Sequence, residues 1–164
     1  MKTELHPAKE RGHVQQGWLD TWHSFSFGSY QNPKRQGFGA LLVLNDDTIA
    51  PGKGFGSHPH EEMEIITIPI KGSLEHKDST GKGAVLKPGD VQVMSAGTGL
   101  LHSEFNASKT EPLHLFQIWI QPSDMAVKPR HAEKHFAFPE GKLVTVAGQK
   151  EGLFINQDAS VKLG

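Results

Sequence analysis

Short runs of β-branched and aromatic residues, each cut off by a glycine, proline or asparagine/aspartate turn, recur along this chain and restrict it to an antiparallel β architecture. The runs fall at 38–44, 63–70, 73–77, 84–86, 91–94 and 113–120, each no longer than an ordinary strand. Between them, Asp78 to Gly83 (DSTGKG) and Lys87-Pro88-Gly89-Asp90 place turn residues where a hairpin needs them. No stretch sustains helical periodicity: 3–10 supports at most a helical turn, and Pro129 interrupts the ambiguous stretch 124–134. A sandwich or barrel is therefore expected.

A chain of 164 residues accommodates one full domain and a fragment of another. After Gln121-Pro122-Ser123 the composition turns polar to about residue 141, and 142–146 and 153–163 then read as two more strands. We expect a first domain at 1–130 and, at 131–164, a linker with the start of an incomplete second domain. The second segment is too short for a barrel of its own, so its strands need cover from elsewhere, and an open sheet edge predicts a homodimer. No apolar run approaches the ~18 residues of a membrane span. No apolar segment follows the basic N-terminal residues, so a cytoplasmic protein without a secretory signal is expected. With 17 basic against 18 acidic residues and no basic block, direct nucleic-acid binding is not expected.

The chain has no cysteine, which rules out disulfides, thiolate nucleophiles and zinc fingers and leaves nitrogen and oxygen as the ligands of any metal. It has ten histidines. His58-Pro59-His60 follows the glycine-rich stretch 51–57, and His102-Ser103-Glu104 follows a second one at 95–101. Side chains two apart in a strand share a face, so each pair aims both its groups the same way. Two such pairs on neighbouring strands would face each other across a metal, offering three imidazoles and a carboxylate with coordination positions left open. Glu64 shares strand parity with His60 and is a rival fourth ligand, or else orients a ligating imidazole. These donors suit iron(II), manganese, nickel, copper or zinc; iron(II) is the metal expected. His6, His13, His131 and His135 read as solvated or structurally hydrogen-bonded.

The same residues resemble the two cupin motifs. The first has Gly52, His58, Pro59, His60, Glu64 and Gly72; the second has Gly89, Gly97, His102 and Asn106. The last glycine of the first motif is displaced by one residue, and Ser95 replaces the usual proline. Gly17-Trp18-Leu19-Asp20-Thr21-Trp22-His23-Ser24-Phe25-Ser26-Phe27, His76-Lys77-Asp78-Ser79 and Ser95-Ala96-Gly97-Thr98-Gly99 further resemble the pirin family, especially its bacterial quercetinase-like members, from about Arg11 to Ile120. The resemblance implies an all-β cupin jelly roll, the N-terminal barrel of a bicupin with only the opening strands of the second. It implies His58, His60, His102 and Glu104 as metal ligands, with Glu64 outside the set. It also implies opening of a quercetin-like flavonol by dioxygen with loss of carbon monoxide, Glu104 serving as both ligand and base. Phe25, Phe27, Phe38, Phe55 and Trp119 are candidates for an apolar pocket. Two other readings remain at this level: an iron-dependent redox-sensing regulator that docks on a transcription factor or enzyme, and a cupin isomerase or hydrolase.

Overall fold

The computed structural model describes residues 5–164. Its only helix among those residues is a 3₁₀ turn at Ala8–Glu10; the expected turn at 3–10 is confined to these three residues, and its first two positions lie outside the described part. The strands are β1 (Gly12–Gln16), β2 (Leu19–His23), β3 (Leu41–Ile49), β4 (Gly54–His60), β5 (Glu64–Lys71), β6 (Leu74–Asp78) and β7 (Gly83–Leu86). They continue as β8 (Asp90–Ser95), β9 (Leu100–Asn106), β10 (Leu113–Ile120), β11 (Arg130–His135), β12 (Val144–Gly148), β13 (Leu153–Phe154) and β14 (Ser160–Leu163).

Eight of these strands form a jelly roll. β3, β10, β5 and β8 lie side by side in one sheet, which β2 and β1 extend at one edge and β11 at the other. The facing sheet has the order β4-β9-β6-β7. Consecutive strands from β3 to β6 thus alternate between the two sheets. The seven-stranded sheet directs Ile65, Thr67, Gln92, Met94, Leu113, Leu115, Gln117 and Trp119 into the barrel. The alternate residues Ile66, Ile68, Val91, Val93, Ile118 and Ile120 point to the outer face.

That outer face explains why β5 reads as a continuous apolar run rather than an alternating one: it is buried on both sides. β12, β13 and β14 form a separate three-stranded sheet, and its Val146, Ala147 and Leu153, with Ile155 beyond β13, pack on the outer face. Val146, Ala147 and Ile155 are fully buried there. The segment 153–163, read from sequence as one strand, is broken into β13 and β14 by a turn at 155–159.

Five strands, β1, β2, β4, β9 and β11, lie outside the runs read from sequence, and the ambiguous stretch 124–134 holds most of β11. β1 and β2 are polar enough to look like loop, and both form through their pairing with β3. The glycines of 51–57 hid the start of β4, and those before His102 masked β9.

Candidate metal centre

β4 and β9 pair antiparallel with His58 directly opposite His102. The pairing shifts register between Phe55 and His58, which is a β-bulge at Gly56 and Ser57. Phe55 and His58 are an odd number of residues apart, so a regular strand would put them on opposite faces; the bulge turns both inward. Gly54 is required for a different reason. A Cβ there would collide with the backbone oxygen of Glu104, so glycine lets β4 and β9 approach closely. Gly97, at φ 46°, makes the tight turn ahead of β9 beside the Val127 carbonyl, where no side chain fits.

Donor atoms of His58, His60 and His102 all lie within 4.8 Å of one another. Their ring centroids are 4.3 Å apart for His58 and His102, 4.8 Å for His60 and His102, and 4.9 Å for His58 and His60. Two of these rings have their Nδ1 engaged. His58 Nδ1 donates to the Gly56 carbonyl at 2.8 Å, and His102 Nδ1 lies 3.2 Å from His76 Nε2. Where Nδ1 is the donor, as in His58 and as His102 would be with its proton directed at His76, Nε2 is the lone-pair nitrogen, the arrangement a ligating imidazole needs. His102 Nε2 is buried with no hydrogen-bond partner among the described residues, as a metal-facing donor would be.

Electrostatics agree with neutral imidazoles. Burial first, then the neighbouring His58, His60 and His76, pushes His102 down to about 2. Burial and then His58 lowers His60 to about 4. Uncharged rings at neutral pH are the metal-binding form.

Glu104 lines the same cavity as His58 and His60, but no carboxylate oxygen of it joins the three-histidine cluster. Thr67 Oγ1 donates to its Oε1 at 3.3 Å and Gln117 Nε2 to its Oε2 at 2.8 Å. Burial drives its pKa up to about 7; the bonds from Gln117 and Thr67 oppose this, and Asp47 adds to it. Glu104 is thus a positioned carboxyl able to hold or release a proton near neutrality.

Glu64 is elsewhere. It accepts a very short hydrogen bond from Ser95 and lies 3.8 Å from Arg130. The parity argument that tied it to His60 fails because residues 61–63 are a crossing between sheets, with Glu62 at φ 48°, and not a continuation of one strand.

The cavity beside the histidines has a volume of ≈ 270 Å³ and is walled by Leu19, Phe27, Phe55 and Trp119 among others. Trp119 stands edge-on to both His60 and Phe27. The expected roles of Phe25 and Phe38 are corrected here. Phe25 is buried under the Arg35 guanidinium and Phe38 is 70% exposed on the outside of the barrel, whereas Phe27, on the same segment between β2 and β3, reaches the cavity.

The sequence reading also missed Thr67, Gln117 and a buried cluster behind His102. His76 and Asp78 lie on β6 and His131 on β11, and their donor atoms come within 4.8 Å of one another. His131 Nδ1 bonds Asp78 at 2.8 Å, as a structural histidine would, while His76 Nδ1 is buried without a partner. The spacing of two in His76-Lys77-Asp78 was the available signal, since it repeats that of His58-Pro59-His60. His13 and His135 pair with Asp20 at 2.9 Å and Asp90 at 2.8 Å, and His6 lies 3.8 Å from Glu10.

Residues 4–120 match the family model described as Pirin. The chain is 49% identical over 156 residues to quercetin 2,3-dioxygenase of Escherichia coli K12, covering 94% of this chain and 68% of that protein. The crystal structure of YhhW from Escherichia coli superposes with a TM-score of 0.91 at 46% identity, over 95% of this chain and 68% of that one. A second structure, described as bacterial pirin YhhW in complex with nickel(II), gives a TM-score of 0.87 at 47% identity, over 94% and 68% respectively.

Proposed function

The chain belongs to the pirin family, and on that premise we propose that it is a metal-dependent dioxygenase opening the ring of quercetin-like flavonols. One observation carries this reading: an apolar-walled cavity opens onto His58 and His60, two of the three clustered imidazoles, and holds Glu104 on the same wall. His58, His60 and His102 fit a divalent transition metal through their nitrogens, and Glu104, on the same cavity wall though outside that cluster, is the carboxylate proposed to join them. Iron(II) is the metal proposed, and nickel(II) is the one named with the Escherichia coli relative. When bound, the metal supplies Lewis acidity and redox capacity to a substrate hydroxyl and dioxygen.

The protein's own contribution is orientation, a proton site and exclusion of water. Phe27, Phe55 and Trp119 enclose a flat ring system, and the low-polarity wall strengthens every electrostatic contact inside. Glu104, on the cavity wall beside the histidines, takes the proton of the flavonol 3-hydroxyl, and the resulting electron-rich anion is the form that reacts with dioxygen. Thr67 and Gln117 hold the carboxyl in place for that transfer.

The test is reconstitution with iron(II) under anaerobic conditions followed by exposure to oxygen and quercetin, read as loss of flavonol absorbance and release of carbon monoxide. Turnover should depend on metal and vanish in the His58→Ala, His102→Ala double variant. Stoichiometric metal binding with no turnover would refute the enzyme and is the outcome a redox-sensing regulator predicts.

A further inference from the structure

Asp47 is a buried carboxyl on the same cavity wall to which the proposed reaction gives no role. It lies on β3 directly opposite Thr21 on β2, and the two are 5% and 3% exposed. Both line the cavity. Burial pushes the Asp47 carboxyl up to about 6, and a loose hydrogen bond from the Thr21 hydroxyl opposes this only in part. Apart from that loose contact with each other, Asp47 Oδ1 and Thr21 Oγ1 have no hydrogen-bond partner among the described residues.

Buried polar groups are paired in roughly nine cases out of ten, because leaving one unpaired is costly. The adjacent polar pairs obey this rule. His23 and Asn45, two register positions along the same two strands, bond each other at 2.8 Å, and Glu104 has Thr67 and Gln117. A carboxyl and a hydroxyl only loosely bonded to each other, in two residues that line a cavity, leave hydrogen-bonding capacity for a group that both donates and accepts. A ring hydroxyl is such a group. An ether or carbonyl oxygen has nothing to donate to the carboxylate, and an ammonium has no lone pair for the threonine.

Resting on the reading of this cavity as an aromatic-ligand site, we propose that Asp47 and Thr21 form a hydroxyl-recognition subsite, separate from the three histidines, that selects polyhydroxylated aromatic ligands over bare ones. The ligand hydroxyl donates to the Asp47 carboxylate, and Thr21 Oγ1 donates to the ligand oxygen.

The test is an anaerobic binding titration of the nickel(II)-loaded protein, followed by tryptophan fluorescence, with quercetin and with 3-hydroxyflavone. The second ligand keeps the flavonol 3-hydroxyl and lacks the other ring hydroxyls. The wild type should prefer quercetin by about tenfold or more, as expected for a hydrogen bond to a charged acceptor. In Asp47→Leu the preference should fall to about twofold or less with 3-hydroxyflavone affinity kept; should that variant not fold, Asp47→Asn and Thr21→Val should each reduce the preference. A preference that survives these changes, an equal loss for both ligands with metal content intact, or failure of the wild type to bind either flavonol overturns the proposal. Because no oxygen is present, this result is independent of turnover: selective binding without catalysis removes only the enzyme reading, and catalysis without Asp47-dependent selectivity removes only the subsite.

Discussion

Replacing Glu104 by glutamine should change how the stability of the metal-free protein depends on pH. Glu104 is buried, and its pKa rises from 4.5 to about 7. A carboxyl whose folded pKa is raised binds its proton more tightly in the folded state, so folding loses stability as pH rises from 4.5 through 7, and the full penalty is reached above 7. The full penalty is about 3 kcal/mol. Between pH 5 and pH 8.5 the linkage relation gives roughly 2–3 kcal/mol, because about a quarter of the penalty is already present at pH 5 and the last of it is reached near pH 8. Glu104→Gln removes the titration. It disturbs the bond from Thr67 or Gln117 by about 1 kcal/mol, but equally at both pH values. Urea unfolding of the two chelator-treated proteins should therefore show Glu104→Gln gaining on the wild type by roughly 2–3 kcal/mol from pH 5 to pH 8.5, or about 1 M in urea midpoint at an ordinary slope. The histidines titrate alike in both proteins and cancel. Parallel pH curves would refute the placement of an ionising carboxyl in this site.

On the acid side, the metal-free protein should lose stability as pH falls below 6.5, because burial keeps His102 and His76 neutral down to about 2 and about 4 and the folded state cannot take up the protons that the unfolded chain binds; a pH series of thermal melts checks this. His76→Gln should weaken metal affinity by about 10–100-fold while leaving the fold intact, since His76 fixes the ring of His102 from behind; competition with a chelator of known affinity measures it. Ile155→Ala should cost about 2–5 kcal/mol in a denaturant titration, because Ile155 is fully buried against the outer face of the first sheet.

The expectation of an all-β protein rested on strand-length apolar runs bounded by turn residues, a local signal that survives without knowledge of any partner strand. The convergence of His58, His60 and His102 and the cavity-facing side of Glu104 were legible for the same reason, since a spacing of two in an extended chain fixes a shared face. The resemblance to cupins and pirins then supplied the jelly roll itself, and the sheet orders bear it out. Other features depended on residues far apart in sequence. Thr67 and Gln117 acquire meaning only because β5 and β10 set them under Glu104, and His131 meets Asp78 only because β11 adds to the edge of β8. Phe25 and Phe38 were as aromatic as Phe27 and Phe55, and side-chain chemistry could not tell which of them faced the cavity. The chain by itself determined which side chains carry donor atoms and in what local phase. Tertiary structure decided which of them meet, because strand pairing, a bulge at Gly56 and the crossing at 61–63 are set by contacts between segments many residues apart.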